Sequence, residues 1–414
     1  MTPIKIIVIG AGAAGMLSAG YAGYYGADVT IFEKNKRVGR KVMITGKGRC
    51  NVTNNCDCNT FIANVPTNGR FLYSAINSFT TEDTISFFQD KGVQLKTERG
   101  NRVFPVSDKA VDIVDCLHNF MQDNNVALVN DDVKSLIIED NKVIGINTES
   151  GKKYYCDKVI VATGGKSYPL TGSTGAGYNF ARQAGHTVIT PKPSLVPLTS
   201  PDSHCKELQG LSLRNVSLSV IDKNKGKEVY KDFGEMLFTH FGVSGPIILS
   251  SSAHMSGKNI GSYCLSIDLK PALTEKQLDA RILRDFEIFI NKDIQNSLNK
   301  LLPSKIIPVV LKKANIPFDV KCNSITKEQR ASLVDVIKHF TVNINGFRSI
   351  EEAIITSGGV STKEINPKTM ESKLCKGLYF AGEVIDVDAY TGGFNLQIAF
   401  STGYLAGTSS VCDY

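Results

Sequence analysis

The chain opens on Ile4-Lys-Ile-Ile-Val-Ile9, a short apolar run rich in β-branched residues. Lacking the alternation of a half-exposed strand, it predicts a strand buried on both faces of a parallel sheet. Gly10-Ala-Gly12-Ala-Ala-Gly15 follows at once, and 16–25 is small and helix-compatible. Gly26 breaks that run, and Val29-Thr-Ile-Phe-Glu33 predicts a second strand, giving β-α-β. Short apolar runs at 126–129, 133–138, 143–148 and 152–156 predict an antiparallel meander, with Asp140-Asn141 and Ser150-Gly151 as turns. Val159-Ile-Val-Ala162 then predicts a return to the parallel sheet.

Pro191, Pro193, Pro197 and Pro201 suggest a boundary. Beyond it, alternation at Val216, Leu218 and Val220, and again at Tyr263, Leu265, Ile267 and Leu269, predicts a small β-domain over 191–271. Thr274-Glu-Lys-Gln277 and Thr326-Lys-Glu-Gln329 read as capping boxes, so 272–344 is predicted helical. After the first box, Leu278, Ile282, Phe286, Ile290, Ile294 and Leu298 recur every fourth position, one apolar helix stripe for core packing. The segment 345–414 returns to strand-plus-glycine composition, with Gly377-Leu-Tyr-Phe-Ala381 as a strand. The expected class is α/β: a parallel-sheet domain, 1–190 and 345–414, interrupted by a β-barrel-like insertion and a helical one.

Composition narrows the function. An apolar fraction of 42% and a charged fraction of 21% over 414 residues exclude wholesale disorder. No apolar stretch reaches membrane-spanning length, so no membrane partner is expected. Ten scattered cysteines without a Cys-x-x-Cys, and six isolated histidines, signal neither a metal site nor a redox pair. Free cysteines fit a reducing cytoplasm. The apolar amino terminus carries the glycine motif and no distinct polar cleavage region, so a targeting reading is set aside. The net charge of +7 is small, but Lys34, Lys36, Arg37, Arg40, Lys41, Lys47 and Arg49 cluster after the lone acid Glu33, which suggests an anionic ligand.

Gly-x-Gly-x-x-Gly is a strong signal here because a strand precedes it, a helix follows, and Glu33 ends the next strand. Gly10 permits the turn, Gly12 lets the backbone approach a pyrophosphate, and Gly15 allows close helix packing. Ala13 and Ala14 lie at the helix amino terminus, where free amides meet phosphate. Glu33 accepts from ribose hydroxyls. FAD is favoured over NAD by the meander, by Val161-Ala162-Thr163-Gly164-Gly165 against the cofactor, and by a carboxy-terminal clasp. In that clasp Gly382 and Glu383 end a strand, and Gly392, Gly393, Asn395 and Leu396 open a helix toward the flavin. Lys34 and Val133 are placed in the cofactor lining with them. Tyr390 fits either hydrogen bonding to flavin or substrate, or plain ring packing.

Lys41-Val-Met-Ile-Thr-Gly-Lys-Gly-Arg-Cys-Asn51, Ala162-Thr-Gly-Gly-Lys-Ser-Tyr-Pro169, Gly172-Ser-Thr-Gly175, Phe238-Thr-His-Phe-Gly-Val-Ser-Gly-Pro246 and Gly382-Glu-Val-Ile-Asp386 stand in a specific order. In these motifs the chain resembles the BaiN/RdsA-type NAD(P)/FAD-dependent oxidoreductases, the aminoacetone oxidase family flavoproteins. The resemblance implies a Rossmann-type FAD domain split by insertions, with Arg40, Lys41, Gly48, Arg49, Cys50 and Asn51 lining the FAD. It also implies an enzyme. Ala176, Ala389 and Ile398 depart from the family pattern of Asp, Gly and Trp, so substrate preference does not carry over.

The expected reaction is hydride transfer between flavin and a small or steroid-like organic substrate, with NAD(P)H as a transiently docked donor. Only one dinucleotide fingerprint is present, and Gly172-Ser-Thr-Gly-Ala-Gly177 follows no strand. His240, between Phe238 and Phe241, is the candidate acid or base, or else a packed corner histidine. Amine oxidation by O2 and action on RNA stand as alternatives. Nucleic acid is not the expected partner.

Overall fold

The computed structural model describes residues 2–255 and 257–412. Contacts divide the chain into two units, Met1–Ser194 with Ile350–Tyr414, and Leu195–Ser349.

The first unit is built on a five-stranded parallel sheet. Strand β1 is Lys5–Ile9, helix α1 is Ala13–Tyr24, and β2 is Asp28–Phe32. Strands β3 (Ala127–Val129), β4 (Lys158–Val161) and β5 (Leu378–Phe380) complete it in the order β5-β4-β1-β2-β3. Every β4 residue is buried, Lys158 included, and Val159, Ile160 and Val161 supply the apolar run that a two-faced core strand needs. β3 pairs in parallel with β2, so the first strand read as meander is instead the sheet's edge. Val133–Glu139, Lys142–Thr148 and Lys153–Tyr155 make the antiparallel three-stranded sheet. A local pattern distinguishes strand from helix but does not choose the neighbour.

Packing on α1 explains its composition. The helix is buried along most of its length, so it carries small residues instead of an amphipathic stripe. The terminal helix Phe394–Val411 lies against it so closely that a Cβ on Gly403 would sit 2.6 Å from the Ala14 carbonyl oxygen, and one on Gly407 2.4 Å from that of Ser18. The prolines read as a boundary lie within or beyond a strand. Val188–Ser194 holds Pro191 and Pro193 and pairs antiparallel with Ile355–Val360, with a register shift between Ile189 and Lys192. A two-stranded ribbon leaves edge positions where proline's missing N–H costs nothing.

In the second unit a seven-stranded antiparallel sheet is centred on Ser212–Asp222 and Lys227–Thr239. Its inward residues Leu218, Val220, Leu265 and Ile267 share one core with Leu278, Ile282, Phe286, Leu333 and Ile337 of the helices. The two insertions read separately from the sequence therefore bury their apolar faces together. Both capping boxes form, at Thr274 with Gln277 and at Thr326 with Gln329. The predicted single stripe does not run through: the helix Glu275–Ile288 ends at Phe289, a new one begins at Ile294, and Ile290 is exposed. Among the described residues no helix is long and apolar enough to cross a membrane, and no cluster of His, Cys, Asp and Glu could hold a metal.

Candidate cofactor site

A deep cleft opens at the carboxyl ends of β1, β2, β4 and β5, enclosing about 1230 Å³ with its mouth included. Ligands of open α/β sheets bind at this end of the strands. The first glycines are shaped for it. Gly10 has φ +98°, and a side chain there would meet the Ala162 carbonyl oxygen at 2.8 Å. A Cβ on Gly15 would lie 1.8 Å from the Gly10 carbonyl oxygen, so helix and turn touch backbone to backbone. Gly12 differs: a Cβ there would meet nothing within 4 Å and would project into open space.

Gly10, Gly12, Ala13 and Ala14 line the cleft. Gly12 is the N-cap of α1 and no side chain caps the helix, so its first amides and positive dipole end stay free for an anion. Glu33 lines the cleft beside them. Its Oε2 accepts from the Ala11 amide at 2.9 Å, and its Oε1 from the Asn35 backbone (2.9 Å) and side-chain (2.6 Å) amides. These bonds fix the carboxylate and leave lone pairs for a diol.

Lys34, Arg40, Lys41, Val133, Ala162, Thr163, Gly164, Gly382, Glu383, Asn395 and Leu396 also line the cleft. Lys41 Nζ is 2.6 Å from Glu383 Oε2 and donates to Ser167 Oγ at 2.6 Å. Glu383 Oε1 accepts from the Thr356 amide at 2.8 Å and from Ser167 Oγ at 3.0 Å. Asn395 donates to the Ala389 and Tyr390 carbonyls, so its side chain braces the loop before its own helix. Thr163 Oγ1 is buried with no partner among the described residues and faces Gly177, where a Cβ would lie 2.2 Å from it.

Gly15, Gly48, Arg49, Cys50, Asn51, Gly392 and Gly393 are not among the lining residues. Arg49 is paired with Glu98 and Asp108 and lies 4.2 Å from the Phe104 ring centre. Cys50 is fully buried, and burial pushes its thiol up to about 12, which leaves it protonated and unreactive. Asn51, oriented to suit its neighbours, accepts from the Gly393 amide at 3.0 Å and donates to the Thr53 carbonyl at 3.1 Å. Asn54 donates to the Gly392 carbonyl at 3.0 Å. This stretch buttresses the clasp from behind. The basic run is largely spent inside the unit: Lys34 on Thr174, Arg40 on Asn35, Lys41 on Glu383 and Arg49 on its two acids.

Sequence reasoning missed Asn35, Asp131, Asp132, Gly172 and Ile354 as lining residues, and named Arg37 only within the basic cluster. The Gly172 segment was visible as a glycine motif; Ile354 carries no local signal. His240 lies in the second unit, exposed after the strand Lys227–Thr239, with its ring 5.0 Å from that of Phe241.

An uncapped helix end and a fixed diol acceptor in one cleft fit a flavin dinucleotide. Gly12, Ala13 and Ala14 would hold its diphosphate and Glu33 its ribose. Comparison with known proteins agrees. The model of the HI0933-like protein Rossmann domain matches residues 4–409. The ribosomal RNA dihydrouridine synthase of Haemophilus influenzae is 34% identical over 409 residues, 97% of each chain. The 3-dehydro-bile acid delta(4,6)-reductase of Clostridium scindens is 29% identical over 419 residues, 98% of each. The 3-ketosteroid-delta4-(5alpha)-dehydrogenase of Rhodococcus jostii shares the fold, with TM-score 0.55 and 14% identity over 99% of this chain and 97% of that one. The chain belongs to the HI0933-like family of FAD-dependent oxidoreductases.

Proposed function

We propose that this protein reduces a carbon–carbon double bond conjugated to a carbonyl, and that its substrate is a uracil base within RNA. Both curated relatives above are named for such a reduction. Dihydrouridine is uridine saturated at the bond beside its carbonyl, and a delta(4,6) reduction saturates bonds conjugated to a ketone. The RNA reading rests on the Haemophilus influenzae relative, 34% identical across 97% of both chains. It reverses the preference for a small or steroid-like substrate that the sequence alone suggests.

The balance is simple. Two electrons and one proton reach the β-carbon as hydride, and a second proton reaches the α-carbon. FAD held in the cleft would supply the hydride, with NAD(P)H as the proposed reductant. The chain's own part is to hold and enclose: the amides of Gly12–Ala14 and Glu33 would anchor the cofactor, while Lys41, Glu383 and Ser167 brace one another in the cleft lining.

The test is anaerobic. Purified protein is expected to be yellow and to bleach with NADPH or NADH. Reoxidation by an in-vitro-transcribed ribosomal RNA fragment should add two mass units to a uridine. Reoxidation only by steroid enones would replace RNA with that substrate class, and bleaching by an amine instead of NAD(P)H, with peroxide released when O2 is admitted, would replace it with amine oxidation.

His240→Ala tests the proton donor separately. As general acid, His240 would contribute about 10²–10⁴-fold, so kcat should fall by that range with flavin content unchanged. Unaltered kcat and an unaltered pH profile would remove it from the mechanism.

A further inference from the structure

Within the basic run at 34–49, Lys34, Arg40, Lys41 and Arg49 are bonded inside the first unit, whereas most of the chain's net charge lies outside that unit. The charge is divided unevenly. Leu195–Ser349 carries 21 Lys and Arg against 15 Asp and Glu, whereas the rest of the chain carries 26 against 25. Nearly all the net charge of +7 therefore belongs to the inserted unit.

Within that unit lies a groove of about 620 Å³, its mouth included, between the strand Ser212–Asp222 and the segment after Leu301. Its walls include Ser212, Arg214 and Lys270, its floor Leu302, Pro303 and Ile306, and no Asp or Glu lines it. Among the described residues neither the Arg214 guanidinium nor the Lys270 ammonium has a hydrogen-bond or ion-pair partner. Asp268, the carboxylate nearest Lys270 along the chain, is taken by Lys338 at 2.6 Å. Lys270 is half-buried, and burial, followed by the nearby Arg281, holds its pKa below the usual lysine range. Two uncompensated cations and a hydroxyl over an apolar floor need an anion that also carries carbon surface. Three other lysines of this unit are held: Lys321 by Asp293, Lys338 by Asp268, and Lys305 by the Gln209 carbonyl.

We propose that this groove holds the phosphodiester backbone of the RNA, Arg214 and Lys270 on phosphate oxygens and the Leu302–Ile306 floor against the adjoining sugar. The assignment rests on the RNA reading of the function. It adds a binding element that neither the glycine motif nor the cleft supplies.

The experiment measures binding of a fluorescent ribosomal RNA fragment to the FAD-loaded full chain at 50 and 200 mM salt. Arg214→Ala/Lys270→Ala is compared with wild type and with Arg214→Lys, with melting temperature and flavin content recorded for each. Losing two single-strand phosphate contacts lowers the salt slope by about 1.4, which is roughly tenfold weaker binding at 200 mM and about sevenfold more at 50 mM. Arg214→Lys should retain the slope. Arg214 is exposed, so Arg214→Ala alone reports about half the slope change if Lys270→Ala compromises folding. Equal affinity and slope in wild type and variants overturn the groove and leave RNA reduction standing. A deficit that ignores salt overturns phosphate as the ligand. No RNA binding by wild type at either salt overturns groove and function together.

Discussion

Gly12→Val is expected to fold like wild type and to lose its flavin. Gly12 has φ −88° and ψ −169°, an extended conformation open to any residue, and a Cβ there meets no protein atom within 4 Å. The substitution costs the fold nothing that the structure can identify. The added side chain does enter the space above the free amides of α1. A phosphate pushed off those amides loses hydrogen bonds to a charged group, each about 1.5–3 kcal/mol, or roughly 10- to 150-fold in affinity. Flavin released per mole of protein, measured by absorbance beside a melting curve, checks this. Gly15→Val is the contrast: its Cβ would lie 1.8 Å from the Gly10 carbonyl oxygen, so it should fail to accumulate as folded protein at all. Full flavin content in folded Gly12→Val would mean that the diphosphate does not rest on this helix.

The same contrast shows what the sequence could reveal. The glycine motif is legible because its work is local: the turn at Gly10, the helix contact at Gly15 and the acid at Glu33 lie within one β-α-β unit. The capping boxes are legible for the same reason, since Thr274 and Gln277 satisfy each other. The Gly48–Asn51 stretch is expected to line the cofactor because the family resemblance implies it. In the structure its Asn51 bonds Gly393, far along the chain, and no local pattern encodes that contact. The edge position of β3 and the break before Ile290 fail likewise. Both depend on which partner surface is free, whereas periodicity reports only which residues are apolar. Arg49 shows the converse. In sequence it belongs to a basic cluster, and in space two acids and a phenylalanine ring have claimed it.

Gly407→Ala should lower the melting temperature, against the direction that helix propensity dictates. Gly407 lies inside the helix Phe394–Val411, where replacing glycine by alanine ordinarily stabilises by about 1 kcal/mol. Here the new methyl would sit 2.4 Å from the Ser18 carbonyl oxygen and 2.9 Å from the Ser18 Cα. Those are backbone atoms of α1, which is itself buried between its neighbours, so neither helix can yield by rotating a side chain. Overpacking of this kind costs about 1–3 kcal/mol, and more against a fixed backbone. With the propensity gain deducted, a net loss of about 2 kcal/mol lowers the melting point by roughly 4–8 °C. Gly403→Ala should behave alike, since its methyl would meet Ala14, whose turn lines the cleft, and it should weaken flavin retention as well. Excess FAD would then recover part of the lost melting temperature by mass action, an effect reaching about 2.7 kcal/mol at a hundred times Kd. A rise in melting temperature for either variant would show that the two helices stand farther apart than their glycines require, and the placement of the α1 amino terminus over the cleft would lose its support.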